Sequence, residues 1–192
     1  MKKTTLLLLL TTLISTSLMA QGKSKSKVED VRNIIVEKAN QLNLRPVNSS
    51  YTINYQPLSN ETGGNFAYYI NFSNNTAAIY CKSNTEKAFA VWGAIYDKYT
   101  TLVGGKFQYF LGAPTSDEFK TPNKNGAGQH FEGGSIYWSP ATGAHEVHGA
   151  IKDKWASLGW ENSFLGFPTT DETATPDGFG RFNFFEGGAI YY

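Results

Sequence analysis

The sequence predicts an α+β chain that is mainly β. Tandem β-hairpin or meander units, each joined to a short helix, form a curved or propeller-like array behind an N-terminal helix–strand cap. Three observations predict it: the chain repeats itself, each repeat sets aromatic residues beside a glycine pair, and the hydrophobic period inside a repeat switches from two to about 3.6. Aromatics make up 15% of the 192 residues and glycine supplies 19 of them, a balance that suits short strands and tight corners.

The repetition is explicit. Leu111-Gly112-Ala113-Pro114-Thr115-Ser116-Asp117-Glu118 returns 54 residues later as Leu165-Gly166-Phe167-Pro168-Thr169-Thr170-Asp171-Glu172. Phe131-Glu132-Gly133-Gly134-Ser135-Ile136-Tyr137 returns at the same interval as Phe185-Glu186-Gly187-Gly188-Ala189-Ile190-Tyr191. Gly93-Ala94-Ile95-Tyr96-Asp97-Lys98-Tyr99 matches Gly149-Ala150-Ile151-Lys152-Asp153-Lys154-Trp155 at an interval of 56. A weaker copy of the second block is Phe72 followed by Ala78-Ile79-Tyr80.

Taken from the N-terminus, Lys2 and Lys3 make a short positive region, Thr4 to Ile14 is an apolar run rich in leucine, and Ser15 to Ala20 ends in small residues. This reads as a signal peptide, residues 1–20, cut after Ala20. The run is shorter than the roughly 20 apolar residues a spanning helix needs, so no membrane span is expected after cleavage. The mature chain is expected to be secreted, to the periplasm, the cell surface or the medium.

Residues 21–71 form the predicted cap. Val28 to Asn43 carries Val28, Val31, Ile35 and Leu42 at helical spacing, with charged residues between them, which predicts an amphipathic helix. Tyr51, Ile53 and Tyr55 alternate with polar residues, which predicts a strand.

Residues 72–192 form the predicted repeat domain. In the best-defined unit, Gln129 to Glu132 reads as a strand and Gly133-Gly134 as a tight turn using the positive φ that glycine adopts cheaply. Ser135 to Trp138 is the return strand, Ser139 to Gly143 a second turn, and Ala144 to His148 a third strand. Gly149 to Leu158 then places Ile151, Trp155 and Leu158 on one helical face, and Gly159 follows as a C-cap. One unit cannot bury such an aromatic face alone, so neighbours must stack and the cap must close the first of them.

These blocks resemble the LGFP repeat family, whose signature tetrapeptide stands here as Leu165-Gly166-Phe167-Pro168; the other copy has Ala113 in the Phe position. The resemblance spans about residues 72–192. It implies a secreted or envelope-associated protein of the kind that holds neighbouring enzymatic domains to cell-wall material.

Charge narrows the partners. Losing Lys2 and Lys3 takes the formal charge from +1 to −1, too little for nucleic acid or an anionic membrane as the main partner. The single cysteine, Cys81, excludes an internal disulfide. It stands where other copies carry Trp138 and Tyr192, which reads as packing, since a catalytic thiol needs a base and an orienting group that no motif supplies.

His130, His145 and His148 fall in one stretch, but their counterparts in neighbouring repeats are Phe184, Phe89 and Trp92. Positions that accept aromatics read as packing sites, and no third ligand at zinc spacing completes a metal reading. Thr115-x-x-Glu118 and Thr169-x-x-Glu172 fit a helix capping box, with calcium binding by the Asp-Glu pairs as the alternative. A catalytic carboxylate pair would be asymmetric and single, not repeated. No phosphate loop, dinucleotide fingerprint or nucleophile elbow is present, so neither enzymatic activity nor a cofactor is expected.

Repeated aromatics beside glycine turns leave two readings open: rows of core rings, or an exposed row that stacks on sugar C–H faces. The expected function is non-catalytic attachment to a cell-wall or extracellular polysaccharide, a peptidoglycan-like glycan. Its expected contacts are Tyr137, Trp138, Trp155 and Tyr191, with Asp117 and Asp171 as polar neighbours. A protein–protein interaction module, by self-association or with an envelope partner, is the alternative, and a wall-active hydrolase comes third.

Overall fold

A computed structural model describes residues 28–47, 51–57, 66–72, 76–82, 85–103 and 111–192. The expected signal peptide, residues 1–20, lies outside the described residues.

Helix α1, residues 28–41, buries Val31, Ile35 and Ala39, one residue per turn on one stripe, while charged side chains between them face outward. The cap strand is β1 (Asn54–Pro57), later than the alternation of Tyr51, Ile53 and Tyr55 predicts. Tyr51 and Ile53 instead pack as side chains against the α1 cluster. Strands β2 (Phe66–Phe72), β3 (Ala77–Lys82) and β4 (Ala88–Trp92) continue an antiparallel meander in chain order. Helix α2 (Gly93–Val103) follows β4 directly.

The second repeat reproduces this plan. Strands β5 (Phe119–Lys120), β6 (Ala127–His130), β7 (Gly134–Ser139) and β8 (Gly143–His148) form a second four-stranded meander. Helix α3 (Gly149–Leu158) follows and is closed by Gly159 in the left-handed region, φ 106°. The third repeat contributes β9 (Thr173–Ala174), β10 (Arg181–Phe185) and β11 (Gly188–Tyr191), with β11 at the sheet edge.

One turn differs from expectation. Neither Gly133 nor Gly134 takes a positive φ. Glycine is required at 134 for space: a Cβ there would stand 2.7 Å from Leu111 Cδ2 and 2.9 Å from the Val147 carbonyl oxygen.

The layers alternate as α1, first sheet, α2, second sheet, α3, third sheet. Successive strand residues point to opposite faces, and both faces of the first two sheets are apolar. Ile79, Cys81 and Ala90 pack on α1, while Ala78, Tyr80 and Val91 pack on Ile95, Tyr99 and Leu102 of α2. The far side of α2 meets Phe131 and Ile136 of the second repeat. Tyr137 and Val147 then pack on Ile151 and Trp155 of α3, together with Leu165, Phe167 and Phe185 of the third repeat. Burying rings such as Trp155 and Tyr99 contributes about 1.5–3 kcal/mol each, so these interlayer seams dominate stability. Strand content exceeds helix content, as an α+β reading requires, but the three sheets are separate and close into no propeller or barrel among the described residues.

Candidate functional site

Asp117 and Asp171 lie at the two junctions between repeats. Each caps the outer strand of the repeat before it. The Ala90 N–H of β4 donates to Asp117 Oδ1 at 3.0 Å, and the Glu146 N–H of β8 donates to Asp171 Oδ1 at 3.1 Å. The carbonyls of the same two residues are also taken: Gln129 Nε2 donates to Ala90 O at 2.9 Å, and Asn183 Nδ2 to Glu146 O at 3.0 Å. Edge strands thus have their free backbone groups satisfied by side chains of the next repeat. A lysine from the preceding helix completes each clamp, Lys38 of α1 on Asp117 at 2.5 Å and Lys98 of α2 on Asp171 at 2.8 Å. Burial pushes the Asp171 carboxyl up, but hydrogen bonds from His145, Lys98 and the Glu146 N–H outweigh it and hold the group at about 2.

This corrects the capping-box reading of Thr115–Glu118 and Thr169–Glu172, because strands β5 and β9 follow these segments where a helix was expected. The backbone N–H of Thr115 bonds to His130 O and that of Thr169 to Phe184 O, so each threonine is tied to a strand of its own repeat.

The two most recognisable motifs hold each other. Glu132 Oε2 accepts the Ala113 N–H at 3.0 Å, and Glu186 Oε2 accepts the Phe167 N–H at 2.9 Å. Gly112 and Gly166 sit at φ +67° and +71°, and a Cβ at either would run into that glutamate. The Leu-Gly-x-Pro and Phe-Glu-Gly-Gly blocks therefore recur together because each completes the other's turn.

Of the expected aromatic contacts, Tyr137 (2% exposed) and Trp155 (0%) are core residues, their rings 4.7 Å apart. A ligand cannot reach either, since α3 covers the face of the second sheet that Tyr137 occupies. Tyr191, the counterpart of Tyr137, is 63% exposed, and beside it Phe182 and Phe184 complete a ring cluster on the outer face of the third sheet.

Trp138 is half-buried and lines a cleft of about 310 Å³ at the junction of the first two repeats. Trp92, from the end of β4, lines it as well, with Glu118, Lys120 and Asn125 supplying polar groups. Burial pushes the Glu118 carboxyl up from its ordinary value, and a hydrogen bond from the Trp92 indole opposes that shift. The arrangement offers apolar ring faces beside one acidic, one basic and one amide side chain. From the sequence, Trp92 is only the counterpart of His148, and Glu118 is a capping residue or half of an Asp-Glu pair. Their meeting across a repeat boundary has no signal in spacing within a repeat.

At the second junction the corresponding residues are His148, Glu172 and Tyr192, and the result is an ionic network. His148 Nδ1 lies 2.8 Å from Glu146 Oε2 and its Nε2 lies 3.2 Å from Glu172 Oε1, which also accepts Arg181 Nε at 2.8 Å. Burial disfavours the imidazolium, yet the hydrogen bond and charges of Glu146 and Glu172 outweigh both burial and Arg181, and the His148 pKa is raised. His145 joins Asp171 and the Thr142 carbonyl at 3.3 and 2.9 Å. Only His130 packs as the aromatic counterpart predicts, its ring 5.1 Å from Phe119 and 5.5 Å from Trp160, with burial lowering its pKa. Cys81 is buried, and burial pushes its thiol up. Among the described residues no three His, Cys, Asp or Glu side chains gather as a metal site.

Comparison with protein-family models matches three segments, residues 56–110, 111–163 and 165–192, to the LGFP repeat. These segments coincide with the three sheet-bearing units. Comparison with curated proteins returns no match.

Proposed function

The chain belongs to the LGFP repeat family, and from that premise we propose that it is an exported, non-catalytic binding module. It attaches to a cell-wall or extracellular polysaccharide, a peptidoglycan-like glycan, through the cleft between its first two repeats. The observation that carries this reading is the pairing of Trp92 and Trp138 with Glu118, Lys120 and Asn125 in one open cleft. Ring faces take the C–H side of a sugar, and a few convergent polar groups take its hydroxyls, which is how concave sites combine affinity with orientation. A cleft of about 310 Å³ sits at the small end of the ligand-site range, a size that suits a short stretch of a longer glycan.

Asp117 acts here through the junction: it holds β4 against the second repeat and so positions Trp92 and Glu118. The leader-like residues 1–20 and the near-neutral mature charge agree with an exported protein whose partner is uncharged or weakly charged. Sedimentation of the chain with insoluble cell-wall material tests the proposal. Retention that is lost in Trp138→Ala supports it, and absence of retention by the native chain refutes it.

A further inference from the structure

Asn125-Gly126 is the one Asn-Gly pair in the 192 residues, and Asp177-Gly178 is the one Asp-Gly pair. Both lie in the loop that joins the first two strands of a repeat, 121–126 between β5 and β6 and 175–180 between β9 and β10. The backbone nitrogen that follows an Asn can attack the side-chain carbonyl carbon and close a five-membered imide. Glycine in the second place removes the Cβ that would crowd this approach. In a folded chain the attack also needs a glycine N–H and a side-chain amide that no other group holds.

The two loops differ in this respect. The loop of the third repeat is stapled throughout. Its Gly178 N–H donates to Thr175 O at 2.8 Å, its Phe179 N–H to Asp177 Oδ1 at 3.1 Å, and its Gly180 N–H to Thr175 Oγ1 at 2.8 Å. In the second repeat the matching hydroxyl, Thr121 Oγ1, turns instead to the Lys124 carbonyl. Gly126, the counterpart of Gly180, therefore has no acceptor for its N–H among the described residues, and the exposed Asn125 amide has no hydrogen-bond partner among them either. The position also matters to its surroundings. Asn125 lines the Trp92–Trp138 cleft beside Glu118 and Lys120. Gly126 is wedged where the second and third repeats meet, since a Cβ there would stand 2.5 Å from both Phe167 Cζ and the Trp138 carbonyl oxygen.

We propose that Asn125 is a self-modification site, converted by the adjoining backbone to aspartyl and isoaspartyl forms that alter the cleft and the seam beside it. The Gly126 nitrogen bonds to Asn125 Cγ, the bond from Cγ to the amide nitrogen breaks, and that nitrogen leaves as ammonia with the proton Gly126 gives up. Water then opens the imide at either carbonyl and returns a proton to the Gly126 nitrogen. Breaking the Cγ–N bond leaves aspartate. Breaking the other C–N bond leaves isoaspartate, in which the main chain runs through the side-chain carbon. Both products bring a carboxylate into a cleft that already holds Glu118. The isoaspartyl form also inserts one more backbone atom directly before Gly126, where Phe167 and the Trp138 carbonyl leave no room for it.

The test incubates the full chain in mildly alkaline buffer and follows the masses of its peptides with time. Conversion at Asn125, a gain of one dalton resolved into two products, is expected about tenfold or more faster than at Asn123 or Asn162. Asn125→Gln should abolish it. Phe179→Asn places a second Asn-Gly pair in the stapled loop and should convert about three- to tenfold more slowly than Asn125, and adding Thr175→Val should remove that protection. The purified isoaspartyl form should melt about 2–4 °C or more below the native chain. Asn125→Asp, which carries the same charge on an ordinary backbone, should melt close to it. An unconverted Asn125, or conversion of Phe179→Asn as fast as Asn125, overturns the proposal. Equal melting of the isoaspartyl form and the native chain overturns its consequence for the seam.

Discussion

Asp171 Oδ1 accepts the backbone N–H of Glu146 at 3.1 Å, tying the third repeat to the outer strand of the second. The same clamp, Asp117 on Ala90, ties the second repeat to the first. The Asp in the repeated x-Asp-Glu block is thus a joint between units, and its loss should be felt at the seam.

Asp171→Ala leaves a strand N–H unpaired and Lys98 without its partner. It should destabilise the chain by about 1–3 kcal/mol in urea unfolding, and Asp171→Asn by less, because the amide oxygen still accepts. The Asp171 carboxyl is depressed to about 2 from an ordinary value of 3.8. Its contribution is therefore complete above about pH 4 and lost as pH falls through about 2.

His148 has the opposite sign. Its pKa is raised by Glu146 and Glu172 against burial and Arg181. The stability it adds is fully present below the ordinary histidine value of 6.5 and disappears as pH rises through the elevated folded value. His148→Gln should flatten the pH dependence of the melting temperature as pH rises above the ordinary histidine value of 6.5. An unchanged slope would mean that the network does not bear on folding.

Gly166→Ala should cost about 2 kcal/mol or more, since it combines a left-handed backbone with a collision against Glu186. Gly159→Ala, at φ 106° but with no atom within 4 Å of its Cβ, should cost less. Thermal melts of the two variants separate strain from crowding.

A chain beginning near Asn71 lacks α1 and uncovers Ile79, Cys81 and Ala90, which are wholly buried beneath it. It should be poorly soluble and melt without cooperativity; a cooperative transition would show that the cap is dispensable.

Much of this fold was legible because its determinants are local. The bounds of α3 follow from Ile151, Trp155 and Gly159, and the three units follow from blocks that recur at fixed intervals. What spacing could not show is what faces what across a boundary. Tyr137 and Trp155 read as candidates for a glycan surface, but α3 packs on the second sheet with Trp155 against Tyr137, so both rings are core. Asp117 and Asp171 read as polar neighbours of a ligand because the backbone groups they accept belong to the preceding repeat, which the spacing within one repeat does not show. The cleft joins Trp92 of one repeat to Glu118 and Trp138 of the next, and no single repeat contains it.

The cleft also predicts pH-dependent binding. Protonation of Glu118 sets in above the ordinary carboxylate range, because burial outweighs the Trp92 hydrogen bond. Glycan affinity should therefore fall as the medium is acidified through that range, and Glu118→Gln should remove the dependence while lowering affinity at neutral pH.

Titration of the chain with soluble peptidoglycan fragments, followed by tryptophan fluorescence, tests glycan recognition by the Trp92–Trp138 cleft. A saturable spectral change is expected in the native chain, with affinity reduced about tenfold or more in Trp92→Ala and Trp138→Ala, a loss of about 1.4 kcal/mol or more. Equal affinity in the native chain and both variants, or no saturable change at all, would contradict it.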